Sequence, residues 1–183
     1  MRKVLFILGD LSEGDVEWLA TAGERQLFPA GKTLIHEGKP VGDVFILLDG
    51  QLSVQVASRG NQRIATLQKG EVVGEMSFLD SRPPSATVTA SADSTVLAIP
   101  REKLSIKLER DMAFAAKFYR ALGVFLADRL RNTMQSGTGT SDSLRVEDQA
   151  ADEIDPALLE SVSLAAKRFE LLVERFKSAR LRD

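Results

Sequence analysis

Apolar residues along this chain repeat with two different periods, and the change from one to the other divides it. Near the start, Val16, Leu19 and Ala20 fall on one helical stripe behind Ser12, a candidate N-cap with Asp15 at the capping-box position. This helix is expected to end near Gly23, with Trp18 packed on the neighbouring domain. From Glu24 to Pro100 the apolar runs shorten and glycines recur at Gly31, Gly38, Gly42, Gly50, Gly60 and Gly70. Val44–Leu48, Leu52–Val56, Ile64–Leu67 and Thr95–Ile99 read as strands. Asp49-Gly50, lying between two of these runs, predicts a hairpin.

After Pro100 the helical period returns. Arg101 to Glu109 predicts a short helix and Asp111 to about Gln135 a long one. On the long helix Phe114, Phe118, Leu122 and Phe125 are spaced 4, 4 and 3, and Tyr119, Leu126 and Leu130 widen the apolar surface. One stripe should cover the strands and another should meet a second copy or a partner. Residues 136–155 read as a flexible acidic linker: a Gly/Ser/Thr run opens it, and Glu147 to Asp155 contains no basic residue. Asp155-Pro156 then starts a helix in which Leu158, Val162, Ala165, Phe169, Leu172, Phe176 and Ala179 repeat every 4 and 3 residues. That seam suits docking on its own domain, self-association or another protein's helix.

The expected fold is therefore α+β, mainly β. It is an antiparallel jelly roll or β-barrel with a short N-terminal helix and a long C-terminal packing helix. An extra heptad-patterned terminal helix completes it. Residues 1–135 form the main domain, 136–155 the linker and 156–183 the amphipathic helix.

Composition narrows the chemistry. The 183 residues are 44% apolar and 27% charged with a net charge of −2, so no global basic surface suggests nucleic acid. No cysteine is present, which excludes disulfides, thiolate catalysis and sulfur-ligated zinc. The one histidine, His36, cannot build a His-rich metal site and reads as a strand residue beside a glycine turn. No catalytic grouping or phosphate-loop motif is found, so no catalytic residue, no metal and no cofactor is expected. Val4–Leu8 after Arg2-Lys3 is too short for a signal-peptide core, and no run approaches the roughly 20 apolar residues of a membrane span. The expectation is a cytoplasmic protein without membrane insertion.

The most informative stretch is Gly74-Glu75-Met76-Ser77-Phe78-Leu79, followed by Pro83-Pro84-Ser85-Ala86-Thr87-Val88. It reads as a turn, one helical turn carrying an acidic residue, a tight loop and a strand. Backbone N–H groups at a helix start suit a phosphate, a nearby carboxylate can accept from a sugar hydroxyl, and small residues let the backbone close in.

The ordered series Phe28-Pro29-Ala30-Gly31, His36-Glu37-Gly38, Phe45–Gly50 and the cassette just described resembles the cyclic nucleotide-binding domain family over roughly residues 11–135. The family includes kinase regulatory subunits, gated channels and catabolite-activator regulators. The resemblance implies that Glu75 accepts from the ribose 2′-hydroxyl, while Gly74, Met76 and Ser77 shape the short helix against the sugar-phosphate. It implies that Ser85 and Ala86 offer a hydroxyl and an amide to the cyclic phosphate of cAMP or cGMP. The long helix would close over the base near Tyr119 to Leu126. The family's phosphate arginine has its place at Pro84 here, and proline brings neither charge nor N–H. A charge-assisted hydrogen bond contributes about 1.5–3 kcal/mol, so its loss weakens binding by about one to two orders of magnitude. Arg82 is the nearby replacement, although Pro83 and Pro84 favour an extended path that carries it outward.

Two functions follow. One is a regulatory module that senses cAMP, cGMP or a related ligand and relays it to a homodimer mate or helical protein partner. The other is a degenerate domain serving as an assembly scaffold. Direct DNA binding is not expected, since a helix-turn-helix needs two short helices and a basic recognition face.

Overall fold

The computed structural model describes residues 11–136 together with Lys167 and Glu170. The linker and terminal helix expected over 136–183 thus lie almost wholly outside the described residues. Helix α1 (Glu13–Ala22) starts as its sequence predicts: the Asp15 amide donates to Ser12 Oγ at 3.2 Å and the Ser12 amide donates to Asp15 Oδ2 at 2.8 Å. The two reciprocal bonds satisfy end groups that the helix itself leaves open.

Eight strands follow: β1 (Glu24–Phe28), β2 (Thr33–Ile35), β3 (Asp43–Asp49), β4 (Gln51–Val56), β5 (Gln62–Gln68), β6 (Val72–Val73), β7 (Thr87–Ala90) and β8 (Ser94–Pro100). Helix α2 (Glu75–Asp80) interrupts them, and α3 (Arg101–Arg110) and α4 (Met112–Ser136) come after. All pairings are antiparallel, in two four-stranded sheets ordered β1-β8-β3-β6 and β2-β7-β4-β5. This is the expected jelly roll.

The expected hairpin at Asp49-Gly50 is not what forms. Strands β3 and β4 belong to different sheets, and Gly50 is a corner between them. Its φ is +90°, and a Cβ there would strike the Asp93 carbonyl and Ser94. Glycine meets both demands, a left-handed backbone and close approach of another chain segment. An Asp-Gly pair signals a tight turn in either setting; the sequence does not say whether the next strand pairs back or crosses over.

Burial explains why β3 and β8 read as unbroken apolar runs. Val44, Ile46 and Leu48 of β3, with Leu97 and Ile99 of β8, face the helices, where they meet Leu19, Leu104, Phe114, Phe118, Leu122 and Phe125. The alternate residues Phe45, Leu47, Val96 and Ala98 face the second sheet, against Ile35, Leu52, Leu67 and Val88. A strand covered on both faces loses its polar alternation. Trp18 packs edge-on to Phe114 at 5.6 Å, so its neighbour is α4 of the same fold. Along α4 the 114-118-122-125 stripe is buried, while Met112, Tyr119, Val124 and Leu130 are exposed.

Candidate ligand site

Strand β6 ends at Gly74, the turn into α2. Gly74 has φ +85°, and a Cβ would lie 2.8 Å from the Asp43 carbonyl oxygen, so a side chain here would push α2 off β3. The next residue, Glu75, is 2% exposed although it is a carboxylic acid. Its Oε1 accepts from Nη1 of Arg129, on the C-terminal part of α4, at 2.6 Å. Burial pushes the Glu75 carboxyl above its ordinary range; Arg129 and the backbone amides of Glu75 and Met76 offset this only in part. The Arg129 guanidinium also lies 5.2 Å from the Phe125 ring centroid.

Helix α2 is too short to be stable by itself, and its neighbours hold it. Arg101, the first residue of α3, donates from Nη2 to the Ser77 carbonyl at 2.7 Å and from Nη1 to the Val41 carbonyl at 3.1 Å. Phe78 meets Phe118 of α4 edge-to-face at 6.4 Å. Thus the start of α3 and one ring of α4 fix the helix that carries Glu75.

The loop after α2 is built differently. Ser81 adopts φ +58° and closes the helix with its amide on the Ser77 carbonyl. The Arg82 amide donates to Asp80 Oδ1 at 3.0 Å, and its guanidinium, 83% exposed, lies 3.9 Å from the same carboxylate. The Pro84 carbonyl accepts from the Gly38 amide at 2.8 Å, which ties the loop to the β2–β3 connection. Ser85 is exposed and Ala86 half-buried at the entry to β7. Close by, Thr87 Oγ1 accepts from the Glu37 amide at 3.2 Å.

Of the residues singled out from sequence, Gly74, Glu75 and Ser77 are gathered in the packed half of the cassette, with Ser85 and Ala86 across the loop. Met76 is 52% exposed and Arg82 faces solvent. Among the described residues no His, Cys, Asp or Glu cluster suits a metal ion. Also among the described residues, no helix is long and apolar enough to cross a membrane. Arg101, Phe78 and Arg129 have parts in this site that the sequence did not assign to them. For Arg129 a signal was present, because it follows Phe125 by 4 and so continues the buried stripe of α4. A charged residue on that stripe needs a buried partner, and Glu75 supplies it.

Comparison with known proteins agrees with this architecture. The sequence pattern of the cyclic nucleotide-binding domain matches residues 25–111. These residues belong to the cyclic nucleotide-binding domain family. The domain is 32% identical over 123 residues to the Cyclic AMP receptor protein of Thermus thermophilus, an alignment covering 66% of this chain and 55% of that protein. It is 31% identical over 120 residues to an NTE family protein of Mycobacterium tuberculosis, covering 66% of this chain and 20% of the relative. The chain thus spans a fifth to about half of these relatives' lengths. A crystal structure of a cyclic nucleotide-binding domain from Methylobacillus flagellatus shares the fold, with TM-score 0.68, 24% identity, and coverage of 78% of this chain and 85% of that one. Helix α4, with Arg129, lies beyond the matched segment.

Proposed function

We propose that this chain is a sensing module that binds a cyclic nucleotide, cAMP or cGMP, in the cassette 74–86 and relays occupancy through α4. In this reading Glu75 accepts from the ribose 2′-hydroxyl, Gly74, Met76 and Ser77 shape the sugar side, and Ser85 with the Ala86 amide faces the phosphate. The observation that supports it best is the 2.6 Å contact between Glu75 and Arg129. A ligand that engages Glu75 must alter the group that anchors α4, so α4 seated on Glu75 and α4 released from it would differ in ligand affinity, as any relay requires. The relay ends on a second copy or a helical partner in the cytoplasm, reached through the exposed face of α4 and the residues beyond it.

Titration calorimetry with cAMP and cGMP tests the reading. Micromolar binding that disappears in Glu75→Gln supports it; no heat with either ligand at millimolar concentration refutes it. In that event the scaffold reading takes over. Two observations favour that alternative: Pro84 stands where the family has arginine, and Met112, Tyr119 and Leu130 leave apolar surface open on α4. A scaffold forms an oligomer or complex whose mass is indifferent to nucleotide and falls when residues 156–183 are removed.

A further inference from the structure

We infer that Arg129 supplies the cation that the cassette lacks: it is the ligand's phosphate partner, contributed by α4 instead of by the loop before β7. The inference rests on the proposed cyclic nucleotide site and goes beyond it by assigning the anion-binding group.

A cyclic nucleotide carries one negative charge at neutral pH, and Glu75 adds a second within the same small volume. Two anions side by side in a poorly solvated site repel strongly unless a cation stands between them. Within the described cassette, residues 74–88, the only basic side chain is Arg82. Its guanidinium is 83% exposed and turned to Asp80. The position just before Ser85 is proline, and the Pro84 carbonyl is held by the Gly38 amide, which fixes the loop with no charged group aimed inward.

Arg129 has what the loop lacks. Its side chain is 29% exposed, its Nη1 is 2.6 Å from a carboxylate that is 2% exposed, and it reaches the cassette from outside it. A guanidinium has five N–H donors in a planar fork, so it can hold Glu75 with one edge and a phosphate oxygen with another. Glu75, for its part, has a second oxygen and further lone pairs for a sugar hydroxyl. The ligand-bound arrangement is then a row of alternating charge: carboxylate, guanidinium, phosphate. Because Arg129 sits on α4, recognition of the phosphate and seating of the helix become one event.

The test uses the full chain and calorimetric titration of cAMP into wild type, Arg129→Gln and Arg129→Lys, with circular dichroism melts of each. Arg129→Gln is expected to weaken cAMP by about 10- to 100-fold, the loss of one charge-assisted bond. Arg129→Lys is expected to recover part of that loss, since it keeps the charge but not the fork. Equal affinities in wild type and Arg129→Gln overturn the inference and leave the sensor reading standing. Equal losses in the Gln and Lys variants also overturn it, because they indicate a group that only shapes the helix. Should Arg129→Gln unfold, Arg129→Lys decides alone: retained binding supports the assignment and lost binding overturns it. Wild type that gives no heat with cAMP or cGMP overturns the sensor reading itself.

Discussion

The two halves of the cassette are built by opposite means. On the α2 side, Glu75 is buried, charge-paired to α4, and carried by a helix that Arg101 and Phe78 clamp from two directions. On the loop side, residues 82–86 form a connection whose one basic side chain faces water and whose firm tie is the Pro84 carbonyl accepting from the Gly38 amide. One half is fixed by tertiary contacts before any ligand arrives. The other presents a hydroxyl and amides, and its one basic side chain is turned to Asp80 and solvent. The order of a short helix or loop is thus set by which distant elements reach it, not by its own residues alone.

That contrast is easiest to break at Phe118, which stacks on Phe114 and meets Phe78 of α2. Truncation to alanine should cost about 3–5 kcal/mol in chemical denaturation, because it opens a cavity under both helices. A loss near zero would mean that α2 does not depend on α4. Next in size is Arg129→Ala, expected to cost about 2–3 kcal/mol because it leaves a buried carboxylate with only its own helix amides. Denaturation curves with and without this substitution measure how much of the order around α2 comes from the ion pair.

The pH dependence sharpens the comparison further. Burial raises the Glu75 carboxyl in the folded state, with Arg129 partly offsetting it. A group raised on folding adds stability below its unfolded pKa, and that contribution is lost as pH rises through the folded value. Stability should thus decline as pH climbs out of the ordinary carboxylate range, and Glu75→Gln should flatten that part of the profile. A profile unchanged in Glu75→Gln would show the carboxyl to be better solvated than its position implies. Smallest of all, Arg82→Ala should change stability by less than about 0.5 kcal/mol, as exposed substitutions do, and leave cAMP titrations unaltered. A clear loss of affinity there would return the phosphate role to the loop.

Much of this was legible in the residues. Ser12 and Asp15 stand at capping-box spacing, and that box forms. The apolar runs at 44–48 and 95–99 are strands, and the 114-118-122-125 stripe is the buried face of α4. Asp49-Gly50 was legible only as a turn, because its left-handed glycine serves a sheet-to-sheet corner as well as a hairpin. The strands β1, β2, β6 and β7 are short or mixed in polarity, and their pairing depends on partners 40 or more residues away for β1–β8 and β2–β7. Spacing along α4 places Arg129 on the buried stripe, but its partner Glu75 lies 54 residues away and nothing local names it.

What the sequence determined by itself is local or periodic: where helices begin, which faces are apolar, which glycines must turn, and that a proline stands at position 84. Those properties depend on neighbouring residues and on side-chain chemistry, so a string of letters contains them. Only the tertiary structure decided which carboxylate is dry, which arginine reaches it and which points away. Burial and ion pairing are set by segments brought together from far apart, and nothing in local spacing encodes that distance.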